Sequence, residues 1–235
     1  MVEAEILNVD YNRYVKMLGT AHFTRRSLSE AYDAVEKLKP TDLAVELDLQ
    51  RFQFLNLQCA NCEQRSSCKG RCEFVGAADA LGNVDANIWL IDMSEEEIST
   101  RVRRLLPLSW QWWTSLVSFP FWHRDVDETE LWERGLKEEV LDRHTERLKA
   151  LRARAPHVWR VLIDERNALM AARLGWIVTQ KLNKGEKVEV LTLTGAAHVE
   201  GIKELLSSPY KIKEDIRRLG LRFTAPTLIR RVSVN

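Results

Sequence analysis

Residues 187–200 read KVEVLTLTGAAHVE, an apolar run that ends in a glycine, two small residues and His198. Residues 16–22, KMLGTAH, repeat that order and end in His22. Each apolar run is typical of a strand that is buried on both faces, and a glycine at its end permits a sharp turn. Two of the five histidines therefore follow strands in the same local setting.

Strand patterns alternate with helix patterns along the rest of the chain. Residues 42–49 (DLAVELDL) and 86–93 (ANIWLIDM) predict two more buried strands, and 228–234 alternates like a final one. Ser27 with Glu30, and Ser94 with Glu97, have capping-box spacing ahead of apolar helical faces. Strands that alternate with helices predict an α/β fold with a largely parallel central sheet.

Length and composition favour one large domain. The chain has 235 residues, of which 45% are hydrophobic and 29% charged, so it can bury a substantial core. We expect a single domain over residues 1–235. Within it we predict a Cys-rich loop insertion at 58–75 and a helical segment at 106–185, interrupted near Gly135 and Pro156.

Charge and hydropathy narrow the partners and the compartment. The formal net charge is +1, and basic and acidic residues are interspersed, which argues against binding to nucleic acid or an anionic membrane surface. The N-terminus lacks a signal-peptide pattern, so we expect a cytoplasmic location. Residues 106–122 are too short and too interrupted to span a membrane. Their four tryptophans are typical of a core or a dimer contact, so a homodimer stays open.

The two glycine–histidine turns predict a shared site. In open α/β sheets, ligands bind beyond the carboxyl ends of the strands. His22 and His198 both follow such ends and should emerge at one edge of the sheet. Gly19 and Gly195 would let the backbone approach a bound group there, so we assign them to binding.

Two acids complete the predicted site. Glu46 ends an apolar run, and Glu165 lies on an apolar helix face, although it could instead pair structurally with Arg166 or Arg51. Two histidines and two carboxylates match the ligands of Zn, Mn or Co, with water as the nucleophile. Either histidine alone would be read as a turn or core residue. The remaining histidines are interpreted as surface or packing residues: His123, His144 and His157.

All four cysteines, Cys59, Cys62, Cys68 and Cys72, lie within fourteen residues as C-x2-C-x5-C-x3-C. Such short spacings let one loop wrap four thiolates around a zinc ion or an iron–sulfur cluster. Two disulfides, or four reduced thiols without a ligand, are the alternatives.

Four stretches in this order resemble the TraB/PrgY pheromone-shutdown family, which belongs to a superfamily with Tiki, GumN, EreA and ChaN. They read LGTAHFTRRSLSEAYDAVEKLKPTDLAVELDLQRF, ANIWLIDMSEEEISTRVRRL, VLIDERNALMAARL and LTGAAHVEGIKELL. The resemblance covers residues 14–206 and implies an EreA/ChaN-like duplicated β-α-β core. The positions that match the family's motifs are Gly19, His22, Glu46, Arg51, Glu165, Arg166, Gly195 and His198.

The resemblance implies several activities. Tiki-like relatives are described as metal-dependent proteases, EreA-like relatives as esterases and ChaN-like relatives as haem binders. The leading hypothesis is a metal-dependent, peptidase-like hydrolase of a peptide or small molecule. In it, His22, His198 and one glutamate hold the ion, the other glutamate is the base, and Arg166 or Arg51 steadies an oxyanion. The alternative is a non-enzymatic regulator that binds a peptide or another ligand.

Overall fold

The computed structural model describes residues 7–22, 24–60, 73–83, 86–105 and 126–230. One five-stranded sheet has the spatial order β1-β4-β2-β3-β5. Its strands are β1 (Val15–Thr20), β2 (Asp42–Val45), β3 (Asn87–Leu90), β4 (Val190–Gly195) and β5 (Thr227–Arg230). The first four in chain order run parallel, and β5 is antiparallel to β3. The predicted α/β fold with a largely parallel sheet is confirmed.

Helices connect the strands and cover the sheet. They are α1 (Arg25–Leu38), α2 (Leu49–Ala60), α3 (Glu73–Ala80), α4 (Glu95–Leu105), α5 (Val126–Glu133), α6 (Lys137–Arg154), α7 (Pro156–Trp159), α8 (Arg166–Asn183), α9 (Ala196–Ser207) and α10 (Pro209–Arg218). A π-helical turn, Arg160–Glu165, joins α7 to α8. Helices thus dominate the described part of the predicted helical segment, whose residues 106–125 lie outside the described ranges. Within those ranges, no helix combines the length and the apolar character that crossing a membrane needs.

The central strands β2 and β4 are buried on both faces, which explains their apolar sequences. Every residue of β2 and β4 is buried. Leu43 and Val45 pack in one core cluster with Val35 of α1, while Ala44 packs in another with Leu169 of α8. Successive strand residues point to opposite faces, so a strand covered on both sides needs an apolar residue at nearly every position.

The helix starts and the loop boundaries differ in part from the prediction. Ser94 caps α4, since its hydroxyl accepts from the Glu97 backbone N–H at 3.2 Å. The cap of α1 is Thr24, whose hydroxyl accepts from the Ser27 N–H, so the predicted Ser27 cap is wrong. The predicted loop 58–75 is also too wide, because the backbone is helical up to Ala60 and again from Glu73.

The sheet's register places four turns side by side. Thr20 lies opposite Gly195, and Val45 lies opposite Leu193 and Leu90. Parallel strands end at a common edge. The residues that follow β1, β2 and β3 therefore meet the start of α9 at that edge.

Candidate functional site

A cavity of about 420 Å³ lies at the carboxyl edge of the sheet. His22, Glu46, Arg166 and His198 form its polar wall. Much of the rest is apolar and comes from the helices between β3 and β4: Trp132, Val140, Leu141, Leu148, Leu162 and Ile163. This volume falls within the range of small-molecule sites.

Gly195 marks the point where the predicted site residues converge. A Cβ atom at Gly195 would lie 3.1 Å from Nε2 of His22, 3.5 Å from Oε2 of Glu46 and 3.8 Å from Cδ2 of His198. Side chains that follow three neighbouring strands thus surround one point. The structure brings together His22, Glu46 and His198, and the absence of a side chain at Gly195 makes room for the His22 ring.

His22 is held by Glu73, which the sequence analysis did not single out. Nδ1 of His22 lies 2.5 Å from Oε1 of Glu73, which also accepts a hydrogen bond from the hydroxyl of Thr20 at 3.0 Å. Burial would raise the pKa of Glu73, but the hydrogen bond with His22 lowers that pKa below its ordinary value. Because a carboxylate only accepts, Nδ1 carries the hydrogen and Nε2 is the basic nitrogen.

Close packing of α3 against α1 places Glu73 within hydrogen-bond distance of His22. A Cβ atom at Gly76 would lie 2.5 Å from the carbonyl oxygen of Leu28, so α3 approaches α1 closely. The sequence offered a weak signal, since Glu73 is one of 34 acidic residues and simply follows the last cysteine.

His198 is fixed in an equivalent way by Asn167. Nδ1 of His198 lies 2.6 Å from the side-chain oxygen of Asn167, and Nε2 lies 3.5 Å from Oε1 of Glu46. Burial lowers the pKa of His198, so its imidazole is neutral at pH 7. A Cβ atom at Gly201 would lie 2.3 Å from the Asn167 amide nitrogen, so this glycine lets α9 approach α8.

Glu46 lies between His22 and His198 and accepts several hydrogen bonds there. Its Oε2 accepts hydrogen bonds from the Gly195 N–H at 2.6 Å and the Thr194 hydroxyl at 2.5 Å, and its Oε1 accepts one from Arg166. Burial would raise the pKa of Glu46, but His198, Arg166 and the Thr194 hydroxyl hold it well below its ordinary value. Glu46 is therefore a buried, ionised carboxylate that donors already satisfy.

Arg166 and Arg51 have different places in the site. Arg166 lines the cavity and donates to Asp92 at 2.9 and 2.7 Å. Arg51 lies behind it, where it donates to Asp92 at 2.6 Å and also pairs with Asp48. Among the described residues, Arg51 is not part of the cavity wall. Asp92 was missed, although it closely follows the observed end of β3 at Leu90, as Glu46 follows the end of β2 at Val45.

The structure places Glu165 and Gly19 away from the converging side chains. Glu165 is fully buried and accepts hydrogen bonds from Arg101 at 2.5 Å and Arg160 at 2.9 Å. Its partners are therefore neither Arg166 nor Arg51. Consecutive helical residues point about 100° apart, so Glu165 and Arg166 face different surroundings. The missing side chain of Gly19 makes room for Val199 of α9, 2.9 Å from a Cβ atom there, rather than for a bound group.

Two metal sites were predicted, one at the four cysteines and one at the His/Glu pocket. Cys62, Cys68 and Cys72 lie outside the described residues, and of Cys59 only the backbone is described, so the zinc or iron–sulfur site stays a prediction. In the described ranges, no three His, Cys, Asp or Glu side chains are arranged to hold a metal ion. Both oxygens of Glu46 already accept hydrogen bonds. The Mn, Co or Zn site expected at the pocket stays a prediction.

The three histidines that were predicted to be surface or packing residues have different locations. His144 is half-buried and lines the cavity, so the surface-or-packing interpretation missed a wall residue. His157 is exposed on α7, and His123 lies outside the described residues.

Comparison with known proteins gives a distant relative. No protein-family model matches the chain. The chain is 25% identical over 220 residues to an uncharacterized protein of Methanocaldococcus jannaschii. The match covers 82% of this chain and 53% of that protein, so this chain spans about half of the relative's length. The relative carries no described activity to compare.

Proposed function

We propose that this chain is a hydrolase that activates water in the cavity for attack on an acyl bond, such as a peptide or ester bond. One observation carries the proposal. Each of two imidazoles has its Nδ1 held by an acceptor, Glu73 or Asn167, and belongs to the same cavity wall as Arg166. A fixed tautomer with a basic Nε2 is what a general base requires.

His22 is the proposed base. Its side chain is 32% exposed, whereas that of Glu73 is 1% exposed, so the imidazole is accessible from the cavity and its partner is not. When Nε2 takes a proton from water, the ring becomes positive. The ionised Glu73 then stabilises the imidazolium and keeps the ring in place.

Arg166 is the proposed stabiliser of the oxyanion. Arg166 lines the cavity, and both Glu46 and Asp92 fix its guanidinium group. A fixed cation in a partly dry site favours the negative charge that develops on the carbonyl oxygen. As the acyl bond breaks, the protonated Nε2 of His22 gives its proton to the leaving group, which restores the neutral base. His198, whose Nε2 carries no hydrogen in this tautomer, is placed to accept a hydrogen bond from the substrate.

The resemblance to the TraB/PrgY family supports this proposal, as does the pairing of β1 with β4, each followed by a Gly-x-x-His turn. We extend it to a duplicated EreA/ChaN-like β-α-β core. Because no group of three His, Cys, Asp or Glu side chains among the described residues is arranged to hold a metal ion, no step is assigned to one. The metal-dependent mechanism that the resemblance implies is the alternative, and the same assay tests it.

The experiment measures hydrolysis of p-nitrophenyl esters and fluorogenic peptides with EDTA, and separately with added Mn, Co or Zn. We expect turnover in EDTA and a loss of about 100-fold or more in kcat for His22→Gln. The matched control is His157→Gln, which changes an exposed histidine. Turnover that requires added metal would replace this mechanism with the metal-dependent one. Unchanged rates in both His22→Gln and His198→Gln would rule out the site.

A second candidate is a non-enzymatic binder of an apolar peptide or similar ligand. The observation that favours it is the largely apolar wall, together with a Glu46 that donors already satisfy. Mass spectrometry of the purified protein would then find a ligand that stays intact on incubation, with no turnover of any substrate.

A further inference from the structure

The apolar wall of the cavity contains two ionisable side chains, Glu128 and His144, one on each of two neighbouring helices. Val140, His144 and Leu148 recur every four residues and so share one face of α6, and all three line the cavity. On α5, Glu128 precedes Trp132 by four residues, and both line the cavity. His144 and Glu128 are thus inward-facing positions and not parts of a solvated surface.

Glu128 and His144 each lie four residues, or about one helical turn, from a residue that packs against the edge of the sheet. Trp132 and Val140 belong to a small buried cluster that packs against Ala21 and Ala196, the residues after the ends of β1 and β4. One turn of helix rises about 5.4 Å. A ligand that reaches from the sheet edge to Glu128 and His144 therefore passes the apolar side chains between them.

One carboxylate oxygen of Glu128 has no hydrogen-bond donor within the described ranges. Its Oε2 lies 2.9 Å from Nη1 of Arg147. Its Oε1 is buried and accepts no hydrogen bond from the residues that the structure describes. A buried acceptor without a donor costs stability, so a ligand that supplies a donor to Glu128 from the cavity would be favoured.

His144 adds a second partner for such a donor. Burial lowers the pKa of His144, with Glu128 acting to raise it and Arg147 to lower it. The neutral imidazole has one accepting and one donating nitrogen. Its neighbours along the helix face, Val140 and Leu148, are apolar, so on α6 His144 is the polar partner that the cavity wall offers to a ligand.

We infer that Glu128 and His144 form a second polar subsite, which binds a hydrogen-bond donor at the distal end of a substrate whose middle is apolar. The donor is a hydroxyl or an ammonium group. The inference that such a ligand is also a substrate rests on the proposed function. The inference that the ligand binds at this subsite does not.

The first test compares p-nitrophenyl esters of hexanoic, 6-hydroxyhexanoic and 6-aminohexanoic acid. We expect kcat/KM for at least one donor-ended ester to exceed that for the methyl-ended ester by about tenfold, the contribution of one hydrogen bond. This ratio should fall to near one in Glu128→Met and decrease in His144→Phe. Glu130→Gln, an exposed glutamate on the same helix, should keep the wild-type ratio. A gain for both donor-ended esters identifies a donor subsite, and a gain for the amine alone identifies one selective for cations.

A ratio near one in the wild type, or an unchanged ratio in both subsite variants, would overturn the inference. A binding measurement separates this failure from failure of the proposed function. Calorimetry on His22→Gln with the corresponding hexananilides should give about tenfold tighter binding of a donor-ended ligand, lost in the double variant with Glu128→Met. If no ester is hydrolysed but this difference is found, only the proposed reaction fails. Equal affinities would rule out the subsite even in an active hydrolase.

Discussion

Nδ1 of His22 lies 2.5 Å from Oε1 of Glu73, a buried carboxylate 51 residues further along the chain. The contact joins the turn after β1 to the first residue of α3. It decides which nitrogen of His22 carries the hydrogen, and so which nitrogen can accept a proton. The pair therefore links the fold to the proposed chemistry.

Replacing Glu73 by Gln should remove the negative charge while keeping the size of the side chain. We expect kcat to fall by about 100-fold to 10 000-fold, because the imidazolium of His22 loses its stabilising carboxylate. Steady-state kinetics from pH 5 to 9 would measure this loss. Asp79→Asn changes an exposed acid on the same helix and should leave kcat close to wild type; an equal loss in both variants would contradict the assignment.

Gly195→Ala should impair activity more than stability. The backbone at Gly195 has φ −55°, which alanine tolerates, but the new methyl group would lie 3.1 Å from Nε2 of His22. We expect kcat/KM to fall by about tenfold or more, since small displacements of a catalytic group are costly. Gly82→Ala, which meets no atom within 4 Å, is the control. Kinetics together with thermal unfolding would separate the two effects, and full activity of Gly195→Ala would argue that His22 does not act from this position.

Because Glu46 is ionised and paired with Arg166, the free energy of unfolding should depend on pH. The pKa of Glu46 is held well below its ordinary value of 4.5, so the unfolded chain binds the proton more readily than the folded chain does. The stabilisation is present above about pH 4.5 and is lost as the pH falls toward the lower folded-state pKa.

Glu46→Gln tests this pH dependence. Its free energy of unfolding should be about 3 kcal/mol lower than that of the wild type at pH 7. Urea unfolding between about pH 7 and pH 3 should show this gap narrowing as the solution becomes more acidic. Glu36→Gln, an exposed site on α1, should differ little from wild type throughout. A gap that stays constant with pH would show that the charge of Glu46 does not stabilise the fold.

Glu165 should matter for stability and not for the reaction. It lies fully buried between Arg101 and Arg160. Glu165→Gln should lower the free energy of unfolding by about 3 kcal/mol, because two guanidinium groups lose a buried anion. The kcat of the folded variant, measured well below its melting temperature, should stay within about twofold of wild type. A loss of kcat comparable to that of His22→Gln would instead support a catalytic role for Glu165.

The four cysteines should bind zinc or an iron–sulfur cluster. Elemental analysis and a visible spectrum of protein purified without oxygen would identify the group, because a cluster absorbs visible light and zinc does not. Cys62→Ser should lower the metal content per chain. Absence of bound metal, with four titratable thiols or two disulfides, would favour the alternatives.

Local patterns predicted the parts of this fold that depend on nearest neighbours. The Ser94 cap follows from a serine three residues before Glu97, and the hydroxyl does bind that N–H. At Ser27 the same spacing misled, because its hydroxyl instead accepts from the indole N–H of Trp132 at 3.0 Å. Trp132 is 105 residues away, so no local pattern could have found this partner.

The sequence by itself determined that His22 and His198 follow strand ends and that Glu46 follows another, since apolar runs and glycines are local features. Only the tertiary structure decided which side chains accompany them. Glu73, Asn167 and Asp92 reach the site through helix packing and strand order, while Glu165 is directed elsewhere by its position in a π-helical turn. Hydrogen bonds and ion pairs form between groups that are close in space, and that closeness depends on how whole elements pack.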